Sequence, residues 1–221
     1  MWAFLQVLEM NWRFLLMAGA TTLALSGLSM LLGILLGIVV AILRTYAGRL
    51  ADLVLGFYVD TMRSVPILVI MIWGYFALPI LTGRTMTPFV AATLALGLHL
   101  AAYVAETVRA GLTSVRPGQM RAALALGMGR WQAIRTIILP QAMVRMLPPF
   151  GSLMVIAVKD SAVASVIAVP ELIRQTQVLV SNTYLSFQLY SFTMVLFFLI
   201  CYPIARGIDR FYKRVAHLGA S

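Results

Sequence analysis

The stretch FLLMAGATTLALSGLSMLLGILLGIVVAIL, residues 14–43, decides the fold class because it contains no charged side chain. A helix needs about 20 consecutive apolar residues to cross the hydrocarbon core of a bilayer, and this stretch exceeds that length. It is also longer than the roughly 7–15 apolar residues at the centre of a cleavable signal peptide. We therefore expect it to be retained as a membrane span.

The rest of the chain repeats this pattern. Its 221 residues are 62% hydrophobic and 11% charged, with a mean hydropathy of +0.94, which excludes an ordinary soluble domain. The apolar runs are apolar on all sides and do not alternate with polar residues, so they predict helices and not barrel strands. We predict an all-α membrane protein, a single domain over residues 1–221, with five spans at about 14–43, 57–81, 88–108, 144–168 and 187–206.

The distribution of arginine and lysine predicts the orientation. Cytoplasmic connections carry an excess of these residues, and most cations here fall on one face of the predicted topology. This places the N-terminus outside and the C-terminus in the cytoplasm. The net charge of +10 is thereby explained without a nucleic-acid partner, which would need a polar domain that the chain lacks.

The connection between the third and fourth spans, residues 109–143, is long enough to carry a function. Pro117 suits the first position of a helix, and Gly127 suits a left-handed residue that ends it. A second helix is expected to start near Arg130 and run toward Pro140, where continuation requires a kink. Physical reasoning leaves two interpretations open: a thin helix that enters a groove on a partner, or an amphipathic helix on the lipid surface.

Part of this connection, GQMRAALALGMGRWQAIRTIILPQA at 118–142, resembles the coupling loop, or EAA motif, of ABC importer permeases. The resemblance extends to three further segments and favours the polar amino acid subgroup of the family. These segments are YVDTMRSVPILV (58–69), AYVAETVRAGL (102–112) and LPPFGSLMVIAVKDSAVASVIAVPEL (147–172). Arg121 stands where that family usually has glutamate.

This resemblance implies a permease subunit in the bacterial cytoplasmic (inner) membrane, which has no catalytic activity of its own. It implies two cytoplasmic ABC ATPase subunits, a second permease subunit in a homodimer or heterodimer, an external solute-binding protein and an amino acid substrate. The chain has no G-x-x-x-x-G-K-[ST] loop, so we expect it to bind no cofactor, with ATP and Mg²⁺ on the ATPase. The expected ATPase-coupling residues are Gln119, Arg121, Ala122, Ala123, Leu126, Gly127 and Arg130.

Charged side chains within spans are costly and commonly line a substrate path. Lys159 and Asp160 lie near the middle of the fourth span and point about 100° apart, so they do not neutralise each other on one helix face. Each needs an interhelical ion pair, a water-filled cavity or a zwitterionic ligand. Asp60 with Arg63, and Glu106 with Arg109, have the spacing of local ion pairs. The candidate substrate-path residues are Arg63, Glu106, Lys159, Asp160 and Ser161.

Two other functional classes stay open at this point. A self-contained secondary transporter or channel would use Glu106 or Asp160 to carry protons or ions, but the chain shows no internal repeat of the kind such transporters often have. A membrane enzyme would need a catalytic group that the sequence does not supply. Gly33 and Gly37 form a G-x-x-x-G pattern, which predicts close helix packing in the first span. The single cysteine, Cys201, excludes an intrachain disulfide, and no cluster of metal-ligand residues is seen.

Overall fold

The computed structural model describes residues 2–215, and this range is helical with no β-strand. Helices of at least four residues alternate with short breaks, so the predicted all-α fold is confirmed. Their bounds are α1 (Trp2–Tyr46), α2 (Arg49–Ser64), α3 (Ile67–Ile72), α4 (Leu78–Thr82), α5 (Pro88–Ser114), α6 (Pro117–Ala125), α7 (Arg130–Ala133), α8 (Leu139–Ser161), α9 (Leu172–Thr183) and α10 (Ser186–Val215).

Within the described residues, four helices are long and apolar enough to cross a membrane, and a bent pair supplies a fifth crossing. This agrees with the expected number of spans. The side on which each terminus lies stays a prediction. The first span was predicted to begin at residue 14, but α1 begins at Trp2 because its first turns are held by tertiary contacts. Phe4, Val7 and Leu8 pack there with Leu179 and Leu189 of α9 and α10.

The predicted second span, 57–81, corresponds to parts of two helical segments that meet at a sharp bend. The chain forms α2 and then a second helical segment, Ile67–Thr82, and the two axes meet at 105°. Pro66 follows Val65, whose φ of −89° and ψ of 132° are extended. A residue before proline is forced out of the helical region by contact with the proline ring, which explains the break.

Helix α5 is the centre of the bundle and begins where the third span was predicted, although it continues past residue 108 to Ser114. The Oγ1 atom of Thr87 accepts a hydrogen bond from the Val90 amide and caps its first turn. The close approach predicted at Gly33 and Gly37 is confirmed within one chain. A Cβ on Gly37 would lie 2.6 Å from Cβ of Val104 on α5, so a side chain there would push the two helices apart.

The predicted fourth span, 144–168, is part of a longer helix that runs without interruption from Arg130 to Ile167. The expected disturbance at Pro140 takes the form of a π-helical turn, Ile134–Ile138, directly before it. A proline has no N–H to donate, and a wider turn accommodates the missing bond without ending the helix. The helix tightens to a 3₁₀ turn over Ala162–Ile167 and ends at Ala168, whose φ is 64°.

Helix α9 lies between the fourth and fifth spans and was not predicted. The carboxylate of Glu171 caps it by accepting hydrogen bonds from the amides of Ile173 and Arg174. The Leu172 amide donates a hydrogen bond to Oγ1 of Thr22, and this bond joins the start of α9 to α1. Helix α10 follows and extends the predicted fifth span, 187–206, as far as Val215.

Candidate translocation path and coupling surface

Residues 117–133, named here the coupling element, form a helical elbow. Pro117 is the first residue of α6, as predicted, and Gly127 ends that helix with a φ of 79°. The Gly127 amide donates to the Leu124 carbonyl, and the Met128 amide donates to the Ala123 carbonyl. This pattern of bonds around a left-handed residue is the usual glycine-terminated helix end.

The elbow exposes most of the residues that the sequence singled out for ATPase coupling. Ala123 is the exception, since it is buried where α6 meets the following helix, and Gln119 is half-buried. The exposed residues of the set are Arg121, Ala122, Leu126, Gly127 and Arg130. The most exposed large apolar side chains of the coupling element are Leu126, at 82%, and Trp131, at 74%.

Glu106 lies at the junction of three helices. Its Oε1 lies 3.0 Å from Nη2 of Arg109, so the ion pair expected from their spacing is present. Its Oε2 lies 3.3 Å from Nη1 of Arg44 at the end of α1. The guanidinium of Arg44 also pairs with Asp52 of α2, with Nε at 3.1 Å from Oδ1. The arrangement ties the ends of α1, α2 and α5 together.

Arg44 is the functional candidate that sequence reasoning missed. Its side chain is only 9% exposed, and a Cβ on Gly56 would lie 3.3 Å from Nη2 of Arg44, so α2 passes closely over the guanidinium. In the sequence it looks like an ordinary cation after a span. The one available signal was the absence of a side chain at Gly56, and that has no meaning before the packing is known.

Asp60 and Arg63 do not form the local ion pair that their spacing suggested. The guanidinium of Arg63 instead lies 5.5 Å from the centre of the Tyr103 ring. The side chains of Asp60 and Arg63 are both exposed. A cation over an aromatic face is attracted by the ring's quadrupole. Arg63 is thereby held against α5, one turn from Glu106 along that helix.

Lys159, Asp160 and Ser161 diverge from the end of α8, as their adjacent positions require. Lys159 is exposed and lines two grooves between α8 and α10, of about 330 Å³ and about 450 Å³. Ser152 and Asp209 share the smaller groove with Lys159. Asp160 is half-buried, and within residues 2–215 neither charge forms an ion pair. Ser161 is buried, and its hydroxyl donates to the Val158 carbonyl of its own helix.

No group of three or more histidine, cysteine, aspartate or glutamate side chains that could hold a metal ion occurs in the described part of the chain. His99 is buried in α5 and packs against Tyr103, with ring centres 5.1 Å apart. This histidine therefore lies in the packed interior of the bundle.

Comparison with known proteins identifies the family of this chain. Residues 33–216 match the family of the binding-protein-dependent transport system inner membrane component. This chain belongs to that family. The proteins of the family are non-catalytic permease subunits located in the inner membrane.

Two named proteins of this kind align over most of the chain. The glutamine transport system permease protein GlnP of Escherichia coli (strain K12) is 34% identical over 203 residues, covering 91% of this chain and 93% of that protein. The L-cystine transport system permease protein TcyL of Bacillus subtilis (strain 168) is 32% identical over 198 residues, covering 87% and 81%.

A solved structure of the same family shares the fold. A crystal structure of an amino acid ABC transporter with histidines superposes with a TM-score of 0.89 at 31% identity, covering 96% of this chain and 98% of that one. The protein is accordingly an ABC importer permease subunit, and not a self-contained secondary transporter or a membrane enzyme.

Proposed function

We propose that this permease subunit forms the translocation path of an ATP-driven importer for polar amino acids. It works with a second permease subunit, two cytoplasmic ABC ATPase subunits that bind ATP and Mg²⁺, and an external solute-binding protein. Its N-terminus lies outside and its C-terminus in the cytoplasm. The substrate class is supported by relatives whose names refer to glutamine and L-cystine, which are different amino acids.

The observation that carries the coupling part of this proposal is the exposed elbow of the coupling element. Leu126 and Trp131 are large apolar side chains on a segment that the cation distribution assigns to the cytoplasm. Apolar side chains concentrated on an exposed protrusion favour burial against a partner protein. We assign that partner to the ATPase, with Arg121 and Arg130 providing charge at the edge of the contact.

The motion has a direct mechanical route. The helix that begins at Arg130 in the coupling element continues without a break to Ile167 and carries Lys159 and Asp160. A displacement of the elbow by the ATPase would tilt this helix as a rigid body and move both charges. Alternating exposure of the path to the two sides of the membrane follows from such a tilt.

The charges on α8 fit a zwitterionic substrate. An amino acid carries an ammonium and a carboxylate, which require an acidic and a basic partner, and Asp160 and Lys159 supply one of each. A substrate that contacts both side chains would neutralise both charges within the membrane, where unpaired charges are costly. Glu106 and Arg63 lie on the cytoplasmic side of this position and would contact the substrate only on its way out.

Reconstitution tests this function. The subunit is co-purified with its ATPase, placed in liposomes with the solute-binding protein, and supplied with labelled amino acids in turn. We expect accumulation that requires ATP and stops when the ATPase carries an inactivated nucleotide site. Accumulation by the permease alone, driven by a proton or ion gradient, would contradict the proposal and favour a secondary transporter.

A further inference from the structure

A side chain of α8 joins the two long helices that flank the coupling element, α5 before it and α8 after it. Nη1 of Arg145 donates to the backbone carbonyl oxygen of Ser114, the last residue of α5, and lies 3.2 Å from the Ser114 hydroxyl oxygen. These two residues are 31 positions apart in the chain. A helix end leaves its last carbonyl groups without partners and carries partial negative charge, so a guanidinium there is favourable on both counts.

Helices α5 and α8 also touch directly beside this contact. A Cβ on Gly111 would lie 2.4 Å from Cγ of Met146, which follows Arg145 in the chain. Only glycine at this position lets the two helices approach so closely. The Arg145 contact therefore adds a polar link beside an interface that is already closely packed.

The chain connection alone would not join α5 to the coupling element firmly. Val115 and Arg116 lie between α5 and α6 with extended backbone, at ψ values of 127° and 132°. Two extended residues can change direction more easily than a continuous helix, so this connection is the weaker of the two mechanical links. Helix α8, in contrast, continues from α7 in one helix, so a displacement of the elbow reaches α8 more directly than α5 through the backbone.

We propose that Arg145 is a positioning residue that makes α5 move with α8 when the coupling element moves. The contact passes the displacement from α8 to the end of α5, and α5 in turn carries Glu106 and packs against α1. The two helices also pack at Gly111 and Met146, so without the Arg145 contact α5 would follow α8 less closely and part of each stroke would be lost. This inference rests on the proposed function, since it concerns how ATP hydrolysis is converted into transport.

The test compares substrate transported per ATP hydrolysed by the reconstituted complex. For Arg145→Ala we expect unchanged assembly with the ATPase and about a tenfold drop in this ratio, of the order of one charge-assisted hydrogen bond. Arg145→Lys should be intermediate, because an ammonium can donate to the carbonyl but lacks the planar fork of arginine. Arg210→Ala removes an exposed arginine of α10 and serves as the matched control, with the wild-type ratio.

A second pair of variants applies if Arg145→Ala does not assemble. Gly111→Ala should force α5 and α8 apart beside the contact and lower the ratio, and adding Met146→Ala should restore it by making room. An unchanged ratio in Arg145→Ala would overturn the inference. If Arg145→Ala does not assemble, an unchanged ratio in Gly111→Ala would overturn it. So would an equal drop in Arg210→Ala. If the wild-type complex shows no ATP-dependent accumulation, the proposed function itself fails, which is a different result.

Discussion

Nη1 of Arg44 lies 3.3 Å from Oε2 of Glu106, which ties the end of α1 to α5 across 62 positions of the chain. The arginine side chain is 9% exposed and the glutamate side chain 29% exposed. Removing one partner would take from the other one of its two ionic contacts, since Arg44 also pairs with Asp52 and Glu106 with Arg109. The pair is therefore more than a surface contact, and its loss should be measurable in the isolated subunit.

For Glu106→Gln we expect a loss of about 1–3 kcal/mol in the free energy of unfolding, because the mostly buried Arg44 guanidinium keeps its pair with Asp52 but loses its second carboxylate. Thermal unfolding in detergent measures this. A double-mutant cycle with Arg44→Gln isolates the pairwise energy, because the double variant should lose less than the sum of the two single variants. Strict additivity would show that the two side chains do not interact.

Gly127 has a φ of 79°, and no neighbouring atom lies within 4 Å of the place a Cβ would occupy. Substitution therefore introduces backbone strain and not a clash. We expect Gly127→Val to cost about 1–2 kcal/mol and to disorder the elbow, since a β-branched residue resists this conformation. The measurement is co-purification of the ATPase with the permease.

Gly127→Asn is the matched control for that experiment, because asparagine adopts left-handed conformations far more readily than valine. It should retain the ATPase. If both variants retained the ATPase equally, the left-handed conformation at Gly127 would not be required for docking of the ATPase.

Asp160→Asn keeps the size of the side chain and removes its charge. If Asp160 contacts the substrate ammonium, uptake by the reconstituted complex should fall roughly tenfold, in line with a lost charge-assisted hydrogen bond of about 1.5–3 kcal/mol. Membrane abundance should be unchanged. Asp60→Asn, at an exposed acid of α2, is the control; a fall in abundance without a change in uptake per molecule would assign Asp160 to the fold.

Burial raises the pKa of Glu171 from 4.5 to about 7, while the hydrogen bonds from the Ile173 and Arg174 amides oppose this rise. A group with a raised native pKa favours folding when it is protonated. Its contribution is complete below pH 4.5 and is lost as the pH rises through 7. The shift corresponds to roughly 3 kcal/mol over that interval.

Glu171→Gln does not titrate and can still cap α9 through its amide oxygen. The wild-type melting temperature should therefore fall relative to that of the variant between pH 4.5 and pH 7.5. Melting curves of the two purified proteins across this range provide the test. Parallel curves would show that Glu171 does not titrate there.

The span number could be predicted because a bilayer imposes a length on any apolar helix that crosses it. The Pro117 start and Gly127 end of α6 could also be predicted, since each depends on the backbone of one residue. The Asp60–Arg63 pairing could not: spacing of three positions permits an ion pair, but the position of Tyr103 on another helix gave Arg63 a different partner. Ser161 likewise turned toward its own backbone.

The sequence by itself determined that this chain is helical, spans a membrane and carries an elbow between Pro117 and Gly127, because hydropathy, proline and glycine act through local backbone and solvent effects. Its function as a permease came from the resemblance to ABC importer permeases. Only the tertiary structure decided which charges meet. The contacts of Arg44 with Glu106 and of Arg145 with Ser114 join residues 62 and 31 positions apart. Such pairs exist only once the helices have packed, and that packing depends on the combined shapes of many side chains.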